Sequence, residues 1–152
     1  MKLKDEIRQQ KPFPSVQEEA ILSLARTADQ LGNASADVLK PANLSSSQYN
    51  VLRILRGASP EGLSCGEISE RMIRRDPDLT RLLDRLETRG LVSRARGTSD
   101  RRVVRASITQ EGLTLLASLD APLQAAIQTT LAHMSEEKLR LLVEILDEVR
   151  GA

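Results

Sequence analysis

The chain has 152 residues, 40% of them apolar, which suits one domain with a real core and is too many for a disordered chain. Its 22 Lys and Arg against 21 Asp and Glu leave a formal net charge of +1, an average that argues weakly against a nucleic-acid partner. Tyr49 and Phe13 are the only aromatic residues, which argues against modules that stack bases on aromatic platforms.

The opening segment MKLKDEIRQQKPFP is charged throughout and lacks the apolar run of a signal peptide. From Ser15 to about Leu39, the apolar residues Val16, Ala20, Leu24, Ala28, Leu31 and Val38 recur at helical spacing, predicting an amphipathic helix that ends before Pro41. LSSS then offers N-cap residues for a short helix over Gln48–Arg56, with Leu52 and Leu55 inward and Gly57 closing it. After the loop GASPEG, Ser64 and Glu67 form a capping-box pattern that opens a third short helix running to about Met72.

Asp76 reads as the N-cap of the next helix, with Pro77 in its first position and Gly90 ending it. Along it, Leu79, Leu82, Leu83 and Leu86 fall on one stripe, and Arg81, Asp84, Arg85 and Thr88 on the opposite one. Leu91–Arg96 and Val103–Ile108 flank the turn GTSDRR and read as a β-hairpin. Thr109 caps a helix with apolar Leu113, Leu116, Leu119, Leu123, Ile127 and Leu131, expected to kink at Pro122. Ser135, followed by Glu136 and Glu137, caps a last helix on which Leu139, Leu142, Leu146 and Val149 align.

Chemistry of the enzymatic kind finds little to work with. One cysteine, Cys65, forms no internal disulfide, and with the single His133 it leaves no cluster for zinc. No nucleophile-elbow, dinucleotide-binding or phosphate-loop motif is present. No segment reaches the roughly 18 apolar residues of a membrane span. A soluble cytoplasmic protein without cofactor or metal, and not an enzyme, is the expectation. Cys65 is expected to be a small, buried packing residue rather than a sensor. His133 is expected at the surface or in a cap.

The neutral average conceals a local excess. Between Arg71 and Arg105 lie eleven arginines, no lysines and five acids, a surplus of six positive charges, while the rest of the chain carries eleven bases against sixteen acids. That basic unit spans short helix, turn, amphipathic helix and hairpin, the order of a helix-turn-helix followed by a β-wing. On this reading Arg81 and Arg85 reach base edges or phosphates, and Asp78 and Thr80 bring the helix N-terminus to the DNA. Arg101 or Arg102 at the hairpin tip enters the minor groove. Ser64, Arg74 and Arg75 complete the candidate contacts before the second helix. The plain alternative is a solvated face, with Asp84 paired to Arg81 or Arg85.

The stretch DLTRLLDRLETRGLVSRARGTSDRRVVRASITQEG, from Asp78 to Gly112, resembles the MarR family of winged helix-turn-helix transcription regulators. The matching residues are Thr80-Arg81-Leu82, Asp84-Arg85-Leu86 and Arg89-Gly90-Leu91-Val92, then Asp100, Arg102 and Thr109–Gly112 in and after the wing; LSSSQYNVLRIL looks like the family's preceding helix. Ile108 stands where leucine is more usual. The resemblance covers roughly Ser15 to Val149. It implies a mainly α fold with a small β-hairpin wing, a winged helix-turn-helix over residues 43–109, and a helical dimerisation region over 1–42 and 110–152. It further implies that Thr80, Arg81 and Arg85 face the major groove. Arg102 is then the minor-groove arginine, and Asp100 braces a neighbouring basic side chain.

That likeness implies a homodimer reading a pseudo-palindromic operator in double-stranded DNA, acting as a repressor, the more frequent role in the family. The broad apolar cover of the last helix (Leu139, Leu142, Leu146, Val149) points the same way, the alternative being an intramolecular core. Members commonly respond to small phenolic or lipophilic molecules, others to oxidants or zinc. Here a small organic ligand would meet Leu, Ile, Ala and Met with Tyr49 as one polar contact. A protein-interaction module using the basic face on an acidic partner, and a Cys65-based redox regulator, stand as alternatives.

Overall fold

The computed structural model describes residues 2–151, so the outermost Met1 and Ala152 of the two end regions lie outside the described residues. The elements are α1 (Leu3–Glu6), α2 (Val16–Leu39), a 3₁₀ turn (Lys40–Ala42), α3 (Ser46–Gly57), β1 (Leu63–Ser64), α4 (Cys65–Arg71), α5 (Leu79–Thr88), β2 (Val92–Arg96), β3 (Val104–Ile108), α6 (Gln110–Leu131) and α7 (Glu136–Arg150). The fold is mainly helical with a small antiparallel sheet, as expected.

Local chemistry sets most of the boundaries. Ser15, Ser45, Ser64, Thr109 and Ser135 each accept a backbone N–H of the following helical turn, and Ser45–Gln48 and Ser64–Glu67 are complete capping boxes. The fourth cap differs from expectation. α5 begins at Leu79 and Asp78 caps it, accepting the Arg81 N–H at 3.3 Å. Asp76 instead turns the chain one step earlier by accepting the Asp78 N–H at 2.8 Å, so Pro77 lies before the helix. α6 runs without a break through Pro122.

The sheet has three strands in the order β1-β3-β2, all antiparallel, with Val92 opposite Ile108, Arg96 opposite Val104 and Leu63 opposite Ala106. β1 is the addition to the predicted hairpin. Two residues carry no periodicity to read, and only pairing with β3 makes them a strand.

The core lies between the end of α2 and the first half of α6. Leu39, Val51, Leu52, Leu55, Ile68, Leu83, Leu86, Leu116 and Val92 are its most deeply buried side chains. The whole apolar stripe of α5, Leu79, Leu82, Leu83 and Leu86, is buried. Gly112 lets α6 approach the sheet, because a Cβ there would stand 2.5 Å from the Leu91 carbonyl oxygen and 2.6 Å from Ile108 Cγ1. α7 fully buries no side chain, and Leu141, Leu142, Val143, Ile145 and Val149 stay exposed. Leu139 and Leu146 on the same helix are half-buried.

Candidate nucleic-acid interface

α5 has one dry face and one wet face. Opposite its buried leucines stand Arg81, Asp84, Arg85 and Thr88, all exposed. Thr80 is exposed in the first turn. Asp78 holds the start of the helix twice over: it caps the Arg81 N–H, and its Oδ2 lies 3.2 Å from Arg81 Nε. Both partners are largely in water, where such a pair contributes well under 1 kcal/mol and opens readily to a better anion.

The N-terminal turn of α3 stands against this face. Ser45, Ser47 and Gln48 line a cleft of about 320 Å³ with Asp76, Asp78, Arg81, Leu82 and Arg85. Three predicted residues, Asp78, Arg81 and Arg85, therefore meet at one opening. By sequence Ser47 is only an N-cap candidate and Gln48 only the first residue of its helix; their place beside α5 depends on how the two helices cross. Arg74 and Arg75 are exposed in the segment between α4 and α5. That segment is anchored by Asn50, whose Oδ1 accepts the Ile73 N–H at 2.9 Å, while the Ile73 side chain is 90% exposed. Ser64 is half-buried and engaged as the cap of α4.

The eleven arginines divide by what holds them. Arg89 donates to the carbonyls of Asn43 (2.7 Å) and Ala42 (2.9 Å) and so ties the end of α5 to the turn after α2. Arg105 donates to the Gly62 carbonyl at 2.8 Å and lies 3.4 Å from Glu67. Arg94 on β2 is held by Glu87 and Asp84 of α5, each with an oxygen 2.5 Å from its Nη2. These bonds, Glu87 first and Asp84 next, raise the Arg94 pKa further above its ordinary value. Asp84 therefore pairs with Arg94, not with Arg81 or Arg85, because β2 brings a guanidinium into reach that helix spacing does not show. Among the described residues, Arg71, Arg74, Arg75, Arg85, Arg101 and Arg102 have neither an ion pair nor a side-chain hydrogen bond to protein.

At the wing, Gly97 N–H donates to the Val103 carbonyl at 2.8 Å, and Arg96 donates to the Arg101 carbonyl at 2.9 Å. Asp100 accepts the backbone N–H of Arg102 at 2.9 Å. It thus braces the wing backbone, not the basic side chain that the resemblance implies, since a short carboxylate in a turn reaches the N–H two residues on. The exposed side chains of Arg101 and Arg102 project from a tip that these bonds shape.

Cys65 is exposed, contrary to the expectation of a buried packing residue. It is the first residue of α4, which turns Ile68 to the core and leaves position 65 outside. His133 is exposed in the turn between α6 and α7. Tyr49 packs at the edge of the core, with Arg53 5.9 Å from its ring centroid. Among the described residues no helix is long and apolar enough to cross a membrane, and no group of side chains is arranged to hold a metal ion.

Comparison with known proteins agrees with this architecture. Residues 44–104 match the MarR family. The homoprotocatechuate degradative operon repressor of Escherichia coli is 30% identical over 111 residues, 73% of this chain and 74% of the repressor. Among solved structures, a MarR transcription factor from Planctomyces limnophilus is 38% identical, with a TM-score of 0.68 over 90% of this chain and 98% of that one. CouR from Rhodococcus jostii RHA1, solved bound to p-coumaroyl-CoA, is 25% identical, with a TM-score of 0.75 over 90% of this chain and 95% of that one. The chain belongs to the MarR family of DNA-binding transcription regulators, a family of regulators and not of enzymes.

Proposed function

We propose that the protein is a homodimeric, sequence-specific repressor that sets α5 in the major groove and the β2–β3 wing in the minor groove of a pseudo-palindromic operator, and that a small organic ligand releases it. The observation that carries this reading is the pairing of two exposed arginines, Arg81 and Arg85, with a helix stripe whose opposite side is wholly buried. Such a helix is rigidly seated and presents its cations outward, as groove insertion requires. Thr80 and Asp78 approach the same groove at the helix N-terminus. Arg74 and Arg75 reach phosphates from the preceding turn, and Ser64, at the start of α4, is the remaining candidate contact. Arg102, with Arg101 and a turn braced by Asp100, reads minor-groove width.

Dimerisation is supported by α7, whose exposed apolar residues continue the line of Leu139, Leu142, Leu146 and Val149. A surface of that kind on a lone chain would be an association liability. Residues 1–42 and 110–152 then form the frame, and 43–109 the DNA-binding lobe. A cytoplasmic location follows from work on DNA. Repression is supported by the name of the Escherichia coli relative, and ligand release by the CoA thioester bound to CouR.

The test is a gel-shift titration on the DNA flanking the protein's own gene, repeated with small aromatic acids and their CoA thioesters. A retarded, competitor-resistant band that one of these compounds dissolves is expected. No shift even at low salt would refute operator binding and favour the basic face as a dock for an acidic protein.

A further inference from the structure

The segment from Asp78 to Thr88 that forms α5 with its cap holds two arginines, Arg81 and Arg85, against three acids, Asp78, Asp84 and Glu87. The helix body with its N-cap is therefore net negative, and the C-cap Arg89, turned to the Asn43 and Ala42 carbonyls, brings the sum only to zero. Asp84 stands on the outward stripe beside Arg85, with its side chain about half exposed. A carboxylate there repels phosphates over roughly a Debye length, about 8 Å at physiological salt. Something outside α5 has to cancel it if the face is to attract a polyanion.

We infer that Arg94 is the charge-compensating residue of the reading helix: from β2 it offsets Asp84 and Glu87, so that α5, its two caps and Arg94 together meet DNA with one net positive charge instead of none. The inference rests on the reading of α5 as the DNA-facing helix. One guanidinium serves both acids. Its Nη2 lies 2.5 Å from Asp84 Oδ1 and 2.5 Å from Glu87 Oε2, and its Nε is 2.9 Å from Glu87 Oε2. The Arg94 backbone N–H adds a bond to Glu87 Oε1 at 3.2 Å. The Arg94 side chain is only 23% exposed, so the charge is directed at the carboxylates and not at solvent. Arg89, the other arginine at this end of the helix, is engaged by the carbonyls of Ala42 and Asn43 and reaches neither acid. Arg94 is thus a positioning residue by charge: it acts on DNA through Asp84 and Glu87.

The experiment measures fluorescence anisotropy of the full-length protein with a labelled mixed-sequence duplex of about three helical turns, at low and moderate salt. Arg94→Met should weaken binding about tenfold at low salt, with the gap narrowing as salt rises. Arg94→Lys keeps the charge and should stay within about threefold of wild type. Adding Asp84→Asn and Glu87→Gln to Arg94→Met removes the acids and should restore affinity to a similar margin, with the wild-type salt slope.

A triple variant as weak as Arg94→Met, or an Arg94→Lys variant as weak as Arg94→Met, would mean a geometric tether and overturn the inference. A restored affinity with the salt slope lowered by about 0.9 would mean a direct phosphate contact by Arg94, and overturns it too. Should Arg94→Met fail to fold, Asp84→Asn with Glu87→Gln in the presence of Arg94 carries the test: about tenfold tighter binding is expected, and unchanged binding refutes it. Arg81→Ala and Arg85→Ala on the same duplex separate the two levels. Loss in either, with failed rescue at Arg94, overturns this inference alone; no loss in both overturns the reading of α5 and this inference with it.

Discussion

Replacing Gly112 by alanine sets two effects of opposite sign against each other at the junction of the wing and α6. Inside a helix, alanine is favoured over glycine by about 1 kcal/mol. The new Cβ, however, would stand 2.5 Å from the Leu91 carbonyl oxygen and 2.6 Å from Ile108 Cγ1, and the first of these is backbone. Leu91 cannot simply retreat. Its carbonyl accepts the Thr109 N–H at 3.1 Å, and the Thr109 hydroxyl donates to the Gly90 carbonyl at 2.6 Å while accepting the Gly112 N–H at 3.1 Å. Overpacking of this kind costs about 1–3 kcal/mol, and a stretched backbone hydrogen bond about 1 kcal/mol more. The clash outweighs the propensity gain, leaving a net loss of about 1–3 kcal/mol and a Tm lowered by about 3–10 °C. Thermal and urea unfolding followed by circular dichroism, at one fixed protein concentration, measures it. Gly57→Ala is the control: nothing lies within 4 Å of its Cβ, so stability should be unchanged or rise by up to about 1 kcal/mol. A Gly112→Ala protein as stable as wild type would refute the close-approach argument.

Arg102→Ala should weaken operator binding by about 1–3 kcal/mol, visible in a gel-shift titration, and relax discrimination where the minor groove narrows; full retention of both would remove Arg102 from the interface. Leu142→Glu combined with Ile145→Glu places two charges on the exposed face of α7 and should yield a folded monomer by sedimentation velocity, with operator binding lost alongside; a dimer of unchanged stability would place the interface elsewhere. The Ser64 backbone N–H, bonded to Glu67 at 2.8 Å, holds the Glu67 carboxyl below its ordinary range, helped by Arg105 and Arg71. A depressed carboxylate stabilises the fold above the ordinary glutamate pKa of about 4.3 and ceases to do so as pH falls through its lower folded value. Glu67→Gln should therefore be less stable than wild type at neutral pH, and the difference should shrink as pH falls into acid; a gap that stays the same from neutral pH into acid would contradict this.

What was legible in the sequence was legible because it is local. Caps at Ser64, Thr109 and Ser135 bond within one turn, so their signal sits within four residues. The leucine stripe of α5 repeats every three or four residues, and all four members are buried. The near miss at Asp76 has the same origin: two aspartates flank Pro77, both able to turn a chain, and the geometry of the approach selects Asp78.

Of the arginine surplus the sequence determined the size and the window, together with the order of helices and hairpin that carries it. Only the tertiary structure decided which arginines are engaged within the protein. Arg89 reaches Asn43 and Ala42, Arg105 reaches Gly62, and Arg94 reaches two acids on another element, over separations that no local pattern records. The same holds for Cys65 and for α7. A helix face is apolar or polar by sequence, but whether anything covers it depends on how neighbouring elements pack, and here α4 turns Cys65 outward while α7 half-buries Leu139 and Leu146 and leaves Leu142, Ile145 and Val149 exposed.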